Sequence, residues 1–358
     1  MRMTPQEATE LFESDDLIGI GMAANEVRRK KTDPRVATYQ VDRNINYTNF
    51  CTEYCSFCAF YRPLGSKEGY ILPLETIFQK IEEMLALGGN GVLLQGGLHP
   101  DLKIDFYENM LRRIREKYPQ VHLHCFSAPE ITCIAEVSGL TLRETIARLR
   151  EVGLASIPGG GAEILDDEVR HRISRLKCKS EEWEAVHRTA HSLGMRTTAT
   201  MMFGCGEETR HRVNHLEKIR QIQDDSGGFT AFIPWIFAPE NTPLGKKVPE
   251  TTAFDYLKTL AISRLYLDNI DHIQSSWLTP GIKICQVGLQ FGADDVGSIL
   301  IEENVVYAAG VRNRTNEGEL RRIISDAGYM PAQRDTLYRS YAWKPAASAM
   351  PQPALASA

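Results

Sequence analysis

A chain of 358 residues that is 43% hydrophobic and 24% charged can bury a barrel-sized core, and its composition is that of an ordinary soluble protein. A formal net charge of -5 and a pI near 6.0 argue against nucleic acid or an anionic membrane as partner, because either leaves a basic footprint. Met1 to Asp15 lacks a basic start followed by an apolar run, no apolar span approaches the ~18 residues of a membrane helix, and of the 8 cysteines three are clustered and the others scattered, unlike a disulfide framework; the expectation is a cytoplasmic protein.

In chain order, residues 1–36 are expected to form an N-terminal helical cover. Two short helices would turn Glu7, Glu10 and Glu13 outward, pack Leu11, Phe12, Leu17 and Ile18 inward, and leave Arg28-Arg29-Lys30-Lys31 as a solvated face. Ala37 to Asn49, rich in Val, Tyr, Ile and Thr, reads as extended chain leading into a cysteine-bearing loop. Leu74, Ile77, Phe78, Ile81, Met84 and Leu85 follow helical spacing that stops at Gly88-Gly89. The pattern then repeats. Strands predicted near Gly91–Gln95, Val121–Phe126, Leu154–Ile157, Met195–Phe203, Phe229–Phe237 and His272–Ser276 alternate with helices, one of them opened by the capping box Thr141-Leu-Arg-Glu144. Unbroken strand–helix alternation implies a parallel sheet covered by helices, and about seven or eight such units favour an α/β fold of the (β/α)8 TIM-barrel type. The barrel is assigned to residues 37–311 and a C-terminal extension to residues 312–343. Residues 344–358, rich in Pro, Ala and Ser with no charge after Lys344, are expected to be a disordered tail.

Cys51-Thr-Glu-Tyr-Cys55-Ser-Phe-Cys58 places three thiols in the loop after the first strand. Three ligands are an incomplete set: a structural zinc site wants a fourth Cys or His nearby, yet no His lies between Arg43 and Leu98 and the next Cys is Cys125. An iron–sulfur cubane on three thiolates leaves one iron open to the amine and carboxylate of a small molecule; zinc and redox-active thiols remain the alternatives at this point. Other signals fall at strand ends, where a parallel barrel gathers its chemistry. Gly96-Gly97 reads equally as a tight turn or as free backbone groups able to hold a zwitterion. His99 before Pro100 reads as a turn residue, Cys205 as a buried thiol, and Asp294-Asp295 as an acidic turn. Glu163, directly after Gly159 to Gly161, is an acid aimed at the barrel mouth. Trp235 and Trp277 read as core residues, or at the mouth as walls for an aromatic substrate.

The C-x3-C-x2-C spacing with Phe57 before the third Cys resembles the radical S-adenosylmethionine (SAM) superfamily. Over about Tyr39 to Val311 the chain is similar to the radical SAM enzymes of the futalosine route to menaquinone and their deazaflavin-forming relatives. The resemblance rests on Asn46-Tyr-Thr-Asn49, Cys58-Ala-Phe-Tyr-Arg62, Gly96-Gly-Leu-His-Pro100, Ser127-Ala-Pro-Glu130, Pro158 to Glu163, Phe232-Ile-Pro-Trp235, Gln274-Ser-Ser-Trp277 and Gly292-Ala-Asp-Asp295. Ile233-Pro-Trp235, Gln274 to Gly281 and Ile301-Glu-Glu-Asn304 look most like the branch that cyclises dehypoxanthine futalosine. Two departures are Asp294, where the family favours Asn, and the additional Glu of Glu207-Glu208.

The resemblance implies a [4Fe–4S] cluster on Cys51, Cys55 and Cys58, with SAM as second cofactor beside Phe57, Gly96, Gly97, Ser127 and Glu163. It implies substrate contacts from Tyr70, Trp235, Ser275, Trp277 and Asp295, and, by position alone, acid–base roles for Glu163 and Asp295. The implied reaction is hydrogen abstraction from ribose C4′ by a 5′-deoxyadenosyl radical, followed by addition to the benzoate ring. An unidentified electron donor is a further implied partner. Aminodeoxyfutalosine synthase and a deazaflavin-forming synthase share these features and are the sibling alternatives. A zinc- or cluster-binding sensor is the non-enzymatic one.

Overall fold

Short apolar runs bounded by glycines and capped helices become the parallel strands of the computed structural model, which describes residues 2–342. The tail expected at 344–358 lies outside the described residues. The chain opens with α1 (Pro5–Glu13) and α2 (Leu17–Lys31), then β1 (Val36–Gln40) and β2 (Asp42–Asn46). Next come α3 (Leu74–Ala86), β3 (Gly91–Gln95), α4 (Ile104–Lys117), β4 (His122–Cys125), α5 (Ala128–Ser138) and α6 (Leu142–Glu151). They are followed by β5 (Ser156–Ile157), α7 (Asp167–Ile173), α8 (Ser180–Ser192), β6 (Arg196–Phe203), α9 (Thr209–Ser226), β7 (Phe229–Ile236), α10 (Ala253–Tyr266) and β8 (His272–Ile273). The end comprises α11 (Ile282–Gly288), β9 (Asp295–Ser298), α12 (Val305–Ala308), α13 (Glu317–Asp326), β10 (Met330–Arg334) and β11 (Tyr341–Ala342).

Strands β2 to β8 form one curled, parallel, seven-stranded sheet in chain order. The eighth strand is not part of that ladder. β9 touches β8 through a parallel bridge, Gln274↔Asp295, and pairs with β1 at Thr38↔Asp295 and Gln40↔Ser298. Only the buried Val41 separates β1 from β2, so β9 reaches the far side of the ring through β1. The other edge of β1 is taken by β10, in register from Val36↔Met330 to Tyr39↔Gln333. The seven-stranded ladder is thus closed at a seam by β9 and β1, with β10 on the other edge of β1.

Alternation along each strand separates two environments. Val92, Leu94, Leu123, Cys125, Ala199 and Met201 turn outward and are buried under the helices. Leu93, Gln95, His124, Thr198, Thr200 and Gln274 turn inward and line a cavity. A barrel interior this polar is hollow rather than filled with branched aliphatics.

α1 and α2 lie against α9 and α10. Two expectations for them need correcting. Ile18 is 65% exposed while Ile20 and Ala24 are buried, because the packing stripe runs through Ile20, Gly21, Ala24 and Arg28. Gly21 belongs to that stripe because a Cβ there would lie 2.6 Å from the Phe291 ring. Arg28, expected in solvent, is fully buried; its guanidinium donates to the carbonyls of Pro34 and Val36 and sits 4.3 Å from the centroid of the Tyr329 ring, so its charge is spent on backbone groups that would otherwise be orphaned. No helix among the described residues is long and apolar enough to cross a membrane.

Candidate active site

The Cys51–Cys58 loop follows β2 and is tied down on every side. Cys51 N–H donates to Arg62 O (3.0 Å), and Arg62 N–H returns to Asn49 O (2.7 Å), so the segment closes on itself. Thr52 N–H donates to Leu98 O (3.2 Å) and Ser56 N–H to Ile173 O (2.9 Å), while Ser56 O accepts from Leu244 N–H (2.9 Å). The loop after β3, the end of α7 and the segment after β7 therefore fix its position. Tyr54 adopts φ 48° to turn the chain between the first two cysteines. Cys55 is buried and Cys51 and Cys58 are half-buried, all as free thiols. Burial pushes the Cys55 thiol up, opposed mainly by the Lys177 ammonium. Burial also raises Cys51, but the N–H groups of Glu53 and Leu98 point at its sulfur and favour the thiolate.

Gly96 and Gly97 at the end of β3 have a packing reason to be glycine. A Cβ on Gly97 would lie 2.1 Å from Phe50 O and 2.8 Å from Cys51 Cβ; one on Gly96 would strike the Tyr47 ring at 2.6 Å. Their N–H groups are not free, contrary to the expectation for a zwitterion cradle: Gly96 donates to Glu130 Oε1 (2.9 Å) and Gly97 to Thr48 O (3.0 Å). What the pair can offer a ligand is carbonyl oxygen. Glu130, unassigned from sequence, is the hub of this side. Its buried carboxylate accepts from Tyr47 OH (2.7 Å), Gly96 N–H, Ser127 N–H (2.7 Å) and Ser127 Oγ–H (2.6 Å). It locks the ends of β2, β3 and β4 together, and Ser127 is committed to it. The signal was present in the Ser127-x-x-Glu130 capping box that opens α5.

Glu163 stands at φ 40° after the glycine run, is 6% exposed and lines the cavity. Lys177 Nζ donates to its Oε1 (3.0 Å), and Arg170 lies 3.6 Å from its Oε2. That Oε2 is buried without a hydrogen-bond partner, as is Glu53 Oε2. Lys177, which no sequence signal marked, also sits 5.5 Å from the centroid of Phe57. Three thiols on a pinned loop, a buried ammonium beside them and an orphaned carboxylate oxygen form a donor set that fits an iron–sulfur cluster with a bound zwitterion.

Below this layer the barrel encloses about 290 Å³. Trp235 and Trp277 both line it, Trp277 being fixed by donation from Nε1 to Ser298 O (2.8 Å). Ser275 does not. It faces the helices, donating to Cys285 O (3.1 Å) beside Tyr256, and alternation gives the lining position to Ser276. Tyr70 lies at the rim near Phe60, outside the cavity lining, with its backbone N–H held by Asn49 (2.9 Å); burial, with Glu302 adding, raises its phenol to about 12. Asp294-Asp295 is no exposed turn. Asp294 is bound by Arg264 (2.6 Å) and His272 (2.6 Å). Asp295 is fully buried and held by Arg334, behind the cavity wall rather than in it. Besides Glu163, Arg334 and Tyr338, the titratable groups lining the cavity include Asp42, whose carboxyl burial lifts to about 6, Glu303, also raised by burial, and His124.

His99, as expected of a turn residue, accepts from Asp101 N–H at Nδ1 (3.2 Å). Cys205 is a buried thiol, and the additional acid Glu207 caps its loop and pairs with Arg212 (2.8 Å). Outside the barrel Asp166, Glu168 and His211 lie close together. His211 Nδ1 accepts from Glu208 N–H (2.9 Å), so Nε2 carries its proton toward Glu168 and has no lone pair for a metal.

The model of the radical SAM superfamily matches residues 45–219, and that of the CofH/MqnC C-terminal region matches residues 226–350. A cyclic dehypoxanthine futalosine synthase of Halalkalibacterium halodurans is 48% identical over 337 residues, which are 94% of this chain and 91% of that protein. Its namesake in Streptomyces coelicolor is 43% identical, with 94% and 85% covered. Among solved structures, methylornithine synthase superposes with a TM-score of 0.72 at 20% identity, over 93% of this chain and 95% of that one; at that identity the likeness concerns the fold alone.

Proposed function

We propose that this chain, which belongs to the radical SAM superfamily and to the group that holds the cyclic dehypoxanthine futalosine synthases, closes the ring of dehypoxanthine futalosine on the way to menaquinone. Cys51, Cys55 and Cys58 would hold the [4Fe–4S] cluster, with Glu163, Phe57 and the Gly96-Gly97 carbonyls around SAM. When bound, that pair supplies a carbon radical strong enough to take a hydrogen from a ribose. The work of the chain itself is to orient and to exclude water.

One observation carries this reading: Glu163 belongs at once to the cysteine layer, through Lys177, and to the lining of the cavity. A substrate in the cavity would therefore lie directly beneath the radical source. Trp235 and Trp277 supply flat apolar walls for an arene, while Gln95, Thr198, Thr200 and Gln274 offer hydrogen bonds to ribose hydroxyls. The substrate and the electron donor rest on this proposal.

The test is anaerobic reconstitution with iron, sulfide, SAM and a reductant, followed by turnover of dehypoxanthine futalosine. One 5′-deoxyadenosine should form per cyclic product. With deuterium at C4′, the label should appear in 5′-deoxyadenosine. A protein that leaves this substrate untouched but makes aminodeoxyfutalosine from an enolpyruvyl benzoate and SAM would overturn the branch assignment.

A further inference from the structure

Ring closure onto an arene, as proposed above, must remove a proton from the ring carbon that gains the new bond. Neither acid considered from sequence is placed for it. Glu163 is paired with Lys177 on the cofactor side, and Asp295 lies beneath Arg334. His124 does line the cavity. Its Nδ1 is 2.6 Å from Ser156 Oγ, and the same oxygen is 2.7 Å from Nε2 of His122. The cause is local. His122 and His124 are two apart on β4 and so share its inward face, while the β4–β5 register puts Ser156 opposite His124.

The two ends of this chain open in different places. His124 Nε2 has no hydrogen-bond partner among the described residues and belongs to a lining side chain. His122 lines a separate cleft at the N-terminal ends of the strands, with Asn90, Asp335 and the exposed Arg115 and Arg339. A serine hydroxyl has one proton to give, so at most one imidazole can accept from Ser156 and at least one must donate to it. With His124 Nδ1–H as donor and His122 Nε2 as acceptor, the His124 Nε2 lone pair is left for the cavity, and both hydrogen bonds point from cavity to cleft.

We propose that His124, Ser156 and His122 form the exit path for the proton that the substrate ring loses. The ring radical first gives one electron to a one-electron acceptor of the iron–sulfur class; the C–H bond of the resulting ring cation then breaks, its electron pair restores the aromatic ring, and the proton adds to His124 Nε2. His124 Nδ1–H passes to Ser156 Oγ as the serine proton moves to His122 Nε2, and His122 Nδ1–H goes to water in the outer cleft. Burial lowers His124 to about 3 and His122 to about 4. The cations facing them, Arg334 and Arg339, act in the same direction, against Asp335. Both imidazoles therefore rest neutral near neutrality, and the ring cation left once the electron has gone is acid enough to protonate so weak a base.

The relay rests on the proposed cyclisation, and its test separates the two. In the reconstituted enzyme, His124→Gln should lower cyclic product formation by about 10²-fold, the low end for a removed general base, while 5′-deoxyadenosine release continues. Nitrogen-15 NMR of the metal-free protein should find the His124 proton on Nδ1, and Ser156→Ala should move the signals of both histidines. Cyclic product at the wild-type rate from His124→Gln, a His124 proton on Nε2, or a His122 signal indifferent to Ser156→Ala would each overturn the relay. A wild-type protein that forms no cyclic product removes the cyclisation itself; an active wild type beside an indifferent His124→Gln removes only the relay.

Discussion

Replacing Arg334 by Ala tests whether Asp295 is structural or chemical. The buried Asp295 carboxylate accepts from Thr38 Oγ–H (2.6 Å), Gly297 N–H (2.7 Å), Arg334 Nε–H (2.5 Å) and Arg334 Nη2–H (3.1 Å). The substitution removes both guanidinium bonds and leaves an uncompensated charge at a position with no solvent access. Breaking a buried pair from one side costs about 3–5 kcal/mol, a large share of the ~5–15 kcal/mol by which a domain is stable. Arg334 also donates to Gln40 Oε1 (2.7 Å) and lies 4.0 Å from the centroid of Tyr338, which places the expected loss in the upper half of that range. Asp295→Ala strands the guanidinium in the same way. The double variant relieves both charges, so its loss should fall short of the sum by about 2–3 kcal/mol. Urea unfolding of the four metal-free proteins at neutral pH reads this directly. Losses that add to within about 0.5 kcal/mol would refute the pairing. So would an Asp295→Ala protein that unfolds like the wild type yet has lost turnover, because the carboxylate would then belong to the chemistry.

Replacing Cys51, Cys55 and Cys58 together by Ala should abolish iron uptake on anaerobic reconstitution; a full complement of iron in that protein would refute the cluster assignment. Gly97→Ala drives a Cβ to 2.1 Å from Phe50 O, so the cysteine loop must shift. A loss of about 1–3 kcal/mol with reduced iron loading is expected, and unchanged melting and iron content would contradict it. Trp235→Ala should keep its iron but release 5′-deoxyadenosine without product, whereas equal losses of iron and product would place the tryptophan in the cluster's support. Burial raises the Asp294 carboxyl, but His272 and Arg264 outweigh it and hold the group near about 2, from an ordinary 3.8. A depressed carboxylate contributes stability above its unfolded pKa and loses it as pH falls through the folded one. Between pH ~4 and ~2 the wild type should therefore lose about 2 kcal/mol more than Asp294→Asn, and parallel acid limbs would argue otherwise.

The strand–helix order was legible because each strand is a short apolar run and each helix has its own period and cap, both local properties. The seam was not. That β9 pairs with β1, and that β10 takes the other edge of β1, depend on contacts between residues 257 to 294 positions apart. Ser275 was misread by one position: in so short a strand as β8 nothing local fixes which of Ser275 and Ser276 turns inward. Arg28 and the Asp294-Asp295 pair looked solvated because sequence shows charge but not the partner that lets charge be buried. The glycine pair was recognised as special, but its reason is the close approach of Phe50 and Tyr47. His122 and His124 carried a readable hint, two histidines at strand period, which gains meaning only when Ser156 stands opposite.

The seam also dictates an order of assembly. β1, finished within the first 40 residues, has its edges occupied by residues 295–298 and 330–334, which are synthesised long after it. Until then both edges of β1 stay unpaired, while the cysteine loop at 51–58 is already made. Contacts of such sequence separation close slowly, which exposes the nascent chain to misassembly in the interval. Truncations beyond the chemistry, anywhere before Arg334, should therefore act as folding lesions rather than as trimmed enzymes.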